Sequence, residues 1–163
     1  MKKRSGFAVM ARLIGLVRPL AGYMLLAILL GLAGHLCAAF ITVFGGYAVL
    51  GVLGLGSPVG LKAVFAGVLI FALVRGLFRY GEQACNHFIA FKLLALIRDK
   101  VFRALRRLCP AKLEGRSKGD LISVITSDIE LLEVFYAHTI SPTVIAVLFS
   151  GIRGLFIGRC HWA

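Results

Sequence analysis

The sequence has 163 residues, of which 60% are hydrophobic and only 16% are charged; its formal net charge is +12 and its mean hydropathy is +0.92. A soluble domain is nearer half apolar and a quarter charged, so these values exclude an ordinary soluble domain and predict an integral membrane protein. Nucleic-acid binding is excluded as well, because it needs a basic face with stacking aromatics, and the aromatics here lie mostly in the apolar segments.

The basic residues fall into two blocks. Five Lys or Arg lie in residues 1–18 and eleven more lie between Arg75 and Lys118. The positive-inside bias predicts that both blocks face the cytosol, so we expect a multi-pass protein of the cell membrane with a cytosolic N-terminus. Residues 19–61 carry no charged side chain. That run is far longer than the apolar core of a secretory signal, so no cleavage is predicted.

Catalytic and metal-binding patterns are missing from the sequence. The cysteines are isolated and show neither a CxxC motif nor the Cys/His spacing of a zinc site, so they are interpreted as packing residues. No nucleophile–base pair and no carboxylate dyad stands in an apolar segment. We therefore predict no enzyme activity, no metal and no cofactor for the chain itself.

Residues 1–19 are predicted to form a basic tail and an elbow helix in the membrane interface. Four apolar residues share one helical face, and Pro19 stands where the chain must turn into the membrane. These four are Met10, Leu13, Ile14 and Val17. The alternative is that this segment simply extends the first span.

Two spans follow, at about residues 20–44 and 59–80. His35 is the only titratable group in the first; it faces a neighbouring helix or a cavity, and the alternative is a histidine that packing alone satisfies. No Gly or Pro interrupts the chain from Glu82 to Cys109, so the second helix is predicted to continue to residue 108. Such a helix would be about 75 Å long. The hydrocarbon core is only about 30 Å thick, and the helix must therefore project far into the cytosol.

A polar stripe runs along this second helix. At 100° per residue its members share one face, and a polar stripe on a membrane helix normally faces a bundle interior or a wet cavity. We predict that these residues and the adjacent histidine line a cavity: Arg75, Arg79, Glu82, Asn86 and His87. The alternative is an Arg–Glu pair within the helix that only neutralises a buried charge.

The chain then turns and returns to the membrane. Pro110 ends the long helix, and residues 117–127 are predicted to hold a short amphipathic helix. Ser127 and Glu130 have the spacing of a capping box that opens the next helix. That helix becomes a third span at about residues 134–158, which Pro142 should kink.

These elements, in this order, resemble the first half of a type I ABC exporter transmembrane domain, which would occupy residues 20–163. The most specific local similarity is the family's first intracellular loop, matched by Lys118, Gly119, Asp120, Leu121, Ile122, Ser123, Ser127, Asp128 and Ile129. The resemblance implies a coupling helix that docks on nucleotide-binding domains, formed by Gly119, Asp120, Leu121, Ile122, Ser123, Ile125 and Ser127. The alternative is that the same residues form a solvated loop helix without a partner. It also implies a second half-transporter subunit, identical or different, and surrounding lipid.

A narrower similarity is to a subunit of the heterodimeric cysteine/glutathione exporter of cytochrome bd assembly. The matching positions are Arg79, Tyr80, Glu82, His87, Phe91, Leu93, Leu94, Ser141 and Pro142. This similarity implies ATP-driven export of a small solute, with a thiol such as cysteine or glutathione as the substrate.

The family has six spans and a C-terminal ATPase domain that binds ATP and Mg²⁺. The sequence contains three predicted spans and neither a GxxxxGKS/T motif nor LSGGQ. We therefore expect an N-terminal fragment that cannot hydrolyse ATP by itself. The alternative function is a stand-alone membrane scaffold or assembly protein without transport activity.

Overall fold

A computed structural model describes residues 14–15, 17–108, 118–123, 126–127 and 129–161. All regular secondary structure in these ranges is helical, which confirms the predicted all-α membrane fold class. Five α-helices are described: α1 (Ala21–Val52), α2 (Leu61–Leu108), α3 (Lys118–Ser123), α4 (Ile129–Phe135) and α5 (Ser141–His161). Three helical stretches are long and apolar enough to cross a membrane: Arg18–Val52, Leu61–Arg107 and Ile129–Cys160.

A tight 3₁₀ turn, Arg18–Leu20, precedes α1. Pro19 suits this position because the first residues of a helix need no intrahelical N–H partner. Most of the predicted elbow helix lies outside the described residues. Val17 and Leu20 are buried against the rest of the chain, whereas Ile14 is about half exposed.

α1 continues eight residues beyond the predicted end of the first span, through Gly45, Gly46 and Gly51. The turn into α2 comes later, at Gly54 and Gly56, whose φ angles of 68° and 79° only glycine adopts without strain.

α2 is a single helix of 48 residues, which corresponds to about 72 Å. Its length comes from a sequence without a helix breaker between Glu82 and its last residue. Later in the chain, after the short helix α3, α4 leads into a π-helical turn, Tyr136–Ile140, and then into α5. The π-helical turn ends two residues before Pro142, the residue predicted to kink this segment.

The chain divides into two compact units. One, here called the span unit, comprises Leu26–Ala84 and Pro142–Ala163. The other, the loop unit, comprises Met1–Leu25 and Cys85–Ser141.

Within the span unit, α1 and α2 run antiparallel. Near one end, Leu30 lies against Gly81, and ten residues further along α1 the Phe40 ring stacks on Phe71 at a centroid distance of 5.1 Å. As the residue number rises along α1, the number of the residue that it contacts on α2 falls, as expected for two consecutive antiparallel spans.

α5 runs parallel to α1 in the same unit. Gly31 contacts Ile145, and the ring of His35 packs against Phe149 at 5.1 Å. Both contacts join residues 114 positions apart in the sequence, so the two helices advance in the same direction and keep the same register. This relation places successive turns of α1 opposite successive turns of α5.

The core of the loop unit is an apolar cluster of buried side chains from the segment before α1, from α2 and from the π-helical turn. Its buried members are Val17, Leu20, Ile89, Ala90, Leu93, Tyr136 and Ala137.

Candidate functional site

A buried carboxylate is the centre of the polar region in the span unit. Glu82 is only 1% exposed, and the Nη1 of Arg79 donates a hydrogen bond to its Oε2 at 2.8 Å. The Arg79 side chain is 56% exposed, so the charge on Glu82 is neutralised by a guanidinium that still reaches out of the protein. The three-residue spacing of this pair on α2 is one at which helical side chains meet. An Arg–Glu pair within the helix is thus present, as the alternative interpretation of the stripe expected.

This pair borders a cavity of about 240 Å³ in the span unit. The lining residues are Gly31, Gly34, His35, Arg75, Arg79 and Glu82. Three of the five predicted cavity residues therefore line one space. The other two, Asn86 and His87, belong to the loop unit and are described separately.

Arg75 gives this cavity its excess positive charge. Among the described residues, no carboxylate lies within ion-pairing distance of Arg75, whereas Arg79 is paired with Glu82. Two guanidinium groups and one carboxylate leave a net charge of +1. An anionic group in the cavity would satisfy Arg75, because guanidinium binds carboxylates through paired, charge-assisted hydrogen bonds.

Gly31 makes this arrangement possible. A Cβ atom at this position would stand 2.3 Å from the Cδ1 of Ile145 and 3.2 Å from the Cδ of Glu82. Glycine at this position leaves room for the side chains of Ile145 and Glu82, and any larger residue would require the end of the Ile145 side chain to shift. Small residues serve the same purpose wherever helices pack in membranes.

His35 completes the lining, which is one of the positions that the sequence left open for it. Its Nδ1 lies 2.9 Å from the carbonyl oxygen of Gly31. A carbonyl oxygen can only accept, so Nδ1 carries the proton, and in a neutral ring Nε2 is an acceptor. This contact orients the imidazole ring and adds a polar side chain to the cavity beside its cationic groups.

In the loop unit, Asn86 is 1% exposed, and within the described part of the chain neither its Oδ1 nor its Nδ2 has a hydrogen-bond partner. The hydroxyl of Ser141 is fully buried and likewise has no hydrogen-bond partner among the described residues. The ring of His87 lies 6.0 Å from the ring of Phe91 and 5.7 Å from that of His138. The His87 ring therefore packs against the next turn of its own helix, α2, and against the π-helical turn.

The predicted coupling segment is partly described. Gly119, Ile122 and Ser123 lie in α3 and are exposed, and Ser127 is exposed beyond it. Asp120 and Leu121 also lie in α3, but their side chains are outside the described part, as is the whole of Ile125. Ile122 is 60% exposed, so a large apolar side chain stands unprotected on this short helix.

Two ion pairs lie on the surface of the α2 segment in the loop unit. Arg98 reaches Glu130 of α4 at 3.3 Å, and Arg103 forms a two-pronged pair with Asp99 one turn earlier. The hydrogen bond from Arg103 lowers the pKa of the Asp99 carboxyl below its usual value. The Asp99 side chain is 48% exposed and that of Arg103 64%, so this pair is a surface feature and not part of a buried site.

Comparison with known proteins identifies the architecture. The model of the ABC transporter transmembrane region matches residues 24–158. The chain belongs to this family. The match confirms the resemblance drawn from the intracellular-loop motif and the order of the helices.

Several curated proteins are similar to this chain. A probable ABC transporter ATP-binding/permease protein of Haemophilus influenzae is 47% identical over 150 residues, which cover 92% of this chain and 27% of that protein. The glutathione/L-cysteine transport system ATP-binding/permease protein CydC of the same organism is 29% identical, over 80% of this chain and 23% of its own length. CydD of Bacillus subtilis is 29% identical over 58% of this chain and 16% of that protein. The chain thus spans about a quarter of the length of the first two relatives.

Among the described residues, no group of three or more His, Cys, Asp or Glu side chains could hold a metal ion.

Proposed function

We propose that this chain supplies the first three spans of an ATP-driven exporter for a small solute. Membership of the ABC transporter transmembrane region family supports this proposal, as do relatives whose names join an ATP-binding part to a permease part. In this arrangement ATP and Mg²⁺ bind nucleotide-binding domains formed by other residues. The chain described here contributes the membrane path and the mechanical link, and it performs no chemistry on its own.

The observation that carries the proposal is the cavity beside Glu82. Arg75 has no carboxylate partner among the described residues, so an anionic solute supplies the missing charge. Cysteine and glutathione, the substrates named for two of the relatives, each carry a carboxylate and fit this requirement. We propose a solute of this class, bound through its carboxylate to Arg75, with the Arg79–Glu82 pair and His35 as neighbouring polar walls.

Asn86 and His87 are proposed as further residues of the transport path. Both follow Glu82 on α2, and the buried amide of Asn86 has two hydrogen-bonding atoms that the described residues leave unused. A buried amide without a partner is costly, so a solute or an ordered water that satisfies it is favoured.

The proposed coupling helix comprises Gly119, Asp120, Leu121, Ile122, Ser123, Ile125 and Ser127. Its support is the family motif and the exposed side chain of Ile122, which suits insertion into an apolar groove of a nucleotide-binding domain. On this proposal the N-terminus is cytosolic, α2 and the return helix act as levers, and a second half-transporter completes the pathway. The asymmetric distribution of basic residues supports the same orientation.

A chimera tests the substrate proposal. The 150-residue stretch of this chain that aligns with the 47% identical relative replaces the corresponding part of that protein, and ATP-dependent uptake of labelled cysteine and glutathione is measured in inside-out vesicles. We expect uptake by the chimera and a KM raised about tenfold by Arg75→Gln, the loss expected for one charge-assisted contact. The matched control is Lys62→Gln, at the other end of the span. Equal KM values for the two variants would show that Arg75 does not bind the solute, and no uptake by a folded chimera would favour the scaffold function.

The coupling proposal is tested in the same vesicles. Ile122→Asp should abolish uptake and the stimulation of ATP hydrolysis by substrate, because it places a charge in an apolar contact. Ile122→Leu, similar in volume and polarity, should retain most of both. If Ile122→Asp transports normally, α3 is a solvated loop helix without a docking role.

A further inference from the structure

A second cavity in the span unit lies between α1 and α5 and is independent of the polar one. Its volume is about 390 Å³. It is lined by Leu36, Ala39, Phe40, Val43, Phe149, Ile152, Arg153, Phe156 and Ile157. Every lining residue except Arg153 is apolar, so the space is an apolar groove with one cationic group on its wall.

The parallel register of α1 and α5 explains why the groove opens here. Gly31 meets Ile145 and His35 meets Phe149, so the next turn sets Ala39 opposite Arg153. A methyl group fills little of the space between two helices. The Arg153 guanidinium does not fill it either, because it folds back over the Phe149 ring at 5.6 Å. Ala39 is small and the Arg153 side chain lies along its own helix, so a slot remains between α1 and α5.

Arg153 lacks an ionic partner within the described part of the chain. It is exposed, and no carboxylate there lies within ion-pairing distance. Its contact with Phe149 satisfies only one face of the guanidinium, and an unpaired arginine in a membrane span is costly. Arg159 lies six positions further along α5, or about 9 Å along the helix. To reach a headgroup at that level the Arg153 side chain has to leave Phe149, which precedes it by one turn, and extend in the opposite direction.

We propose that this groove binds a phospholipid, with the phosphate on Arg153 and one acyl chain in the apolar slot. The guanidinium matches phosphate in charge and geometry, because its N–H groups donate in parallel to two oxygens. The walls formed by Phe40, Val43 and Ile157 match an acyl chain and offer no polar group to any other ligand. A free anion would leave these walls empty, whereas a phospholipid satisfies both halves of the site. This binding does not depend on the transport proposal.

Photo-labelling of the 163-residue chain in phospholipid vesicles tests this site. The probe is a phosphatidylglycerol with a diazirine on one acyl chain, and labelled peptides are located by mass spectrometry. We expect labels on α1 and α5 residues of the groove and a reduction of about tenfold for Arg153→Gln, the effect expected for one charge-assisted contact. Ala39→Phe should reduce labelling similarly, since it fills the slot without touching the charge.

Two controls separate headgroup recognition from general contact with lipid. Arg159→Gln removes an arginine from the same helix outside the groove and should leave labelling of the groove unchanged. A diazirine fatty alcohol without phosphate should label wild type and Arg153→Gln equally. Labelling spread evenly over the exposed helix faces, or unaffected by both Arg153→Gln and Ala39→Phe, would overturn the proposal. So would disulfide-linked dimers that form with Val43→Cys but not with the unsubstituted chain, whose Cys160 is also exposed, because they would show that a second copy fills the groove.

Discussion

The two compact units bury their residues in different ways. The span unit leaves most of its large apolar side chains exposed, and at its centre a buried carboxylate is paired with an arginine beside a glycine. The loop unit gathers an apolar cluster inside and carries ion pairs such as Arg98–Glu130 outside. It also buries polar groups of Asn86 and Ser141 without a partner among the described residues.

The difference reflects the solvent that each region meets on the proposed topology. In lipid, an apolar side chain gains little by moving from acyl chains to protein, so helix association depends on close packing and on satisfied polar groups. In water, burial of apolar surface provides the driving force, at about 25 cal/mol per Å². Substitutions should therefore act through close approach and charge in the span unit, and through lost apolar volume in the loop unit.

One of the two largest effects is expected at Leu93, a fully buried member of the loop-unit cluster. Leu93→Ala should lower stability by about 3 kcal/mol, because it removes apolar contacts and leaves a cavity. Thermal unfolding in detergent, followed by circular dichroism, measures the loss. Leu96→Ala, on the same helix at a side chain that is 37% exposed, is the control and should cost much less. Equal losses would contradict an apolar core in this unit.

The Arg79–Glu82 pair should respond asymmetrically. Arg79→Gln leaves a buried carboxylate without its cation and should cost about 3 kcal/mol. Glu82→Gln leaves a guanidinium that is already half exposed and can reach solvent, so its cost should be only about 1 kcal/mol. Unfolding of both variants in detergent gives the two losses. If Glu82→Gln were the more damaging, the carboxylate could not be the buried partner.

Gly31→Ala tests close approach in the span unit. The added methyl group would collide with Ile145 and press on Glu82, so overpacking should cost about 2 kcal/mol. The matched control is Gly45→Ala on the same helix, where nothing lies within 4 Å of the added atom. This control should be neutral or stabilising by up to about 1 kcal/mol, since alanine is the better helix former. Similar melting temperatures for the two variants would argue against the Gly31 contact.

Ser141→Ala should have the smallest effect, and one of opposite sign. Its hydroxyl is buried with no partner among the described residues, so removing it should stabilise the protein by about 1 kcal/mol. Ser150→Ala, at an exposed position of α5, serves as the control and should change stability little. Destabilisation by Ser141→Ala would indicate that the hydroxyl has a partner in the working protein.

Much of the fold could be predicted from local patterns. A run of residues 19–61 without charge already required a span, and a stretch without Gly or Pro after Glu82 required a long helix. The end of α1 was harder to place. Of the glycines between residues 44 and 61, all of which the structure describes, only Gly54 and Gly56 adopt positive φ, and the helix passes through the earlier ones. Composition indicates that a turn occurs in such a segment, but not which glycine forms it.

The polar stripe of α2 was also predicted in part from the sequence and in part only seen in the structure. The helical period put Arg75, Arg79 and Glu82 on one face, and the spacing allowed the ion pair that is observed. The period could not indicate which of the two arginines would be paired, or that Gly31 and His35 of another helix would meet them.

The sequence by itself determined the solvent, the helices and the family, because hydropathy, charge asymmetry and the intracellular-loop motif are local properties of the chain. Only the tertiary structure decided which turns of α1 face α5. That register joins residues 114 positions apart through the absence of a side chain at Gly31 and the small size of Ala39. In so apolar a sequence, nothing local distinguishes one glycine or alanine from another. The role of each depends on which side chain of the neighbouring helix lies against it.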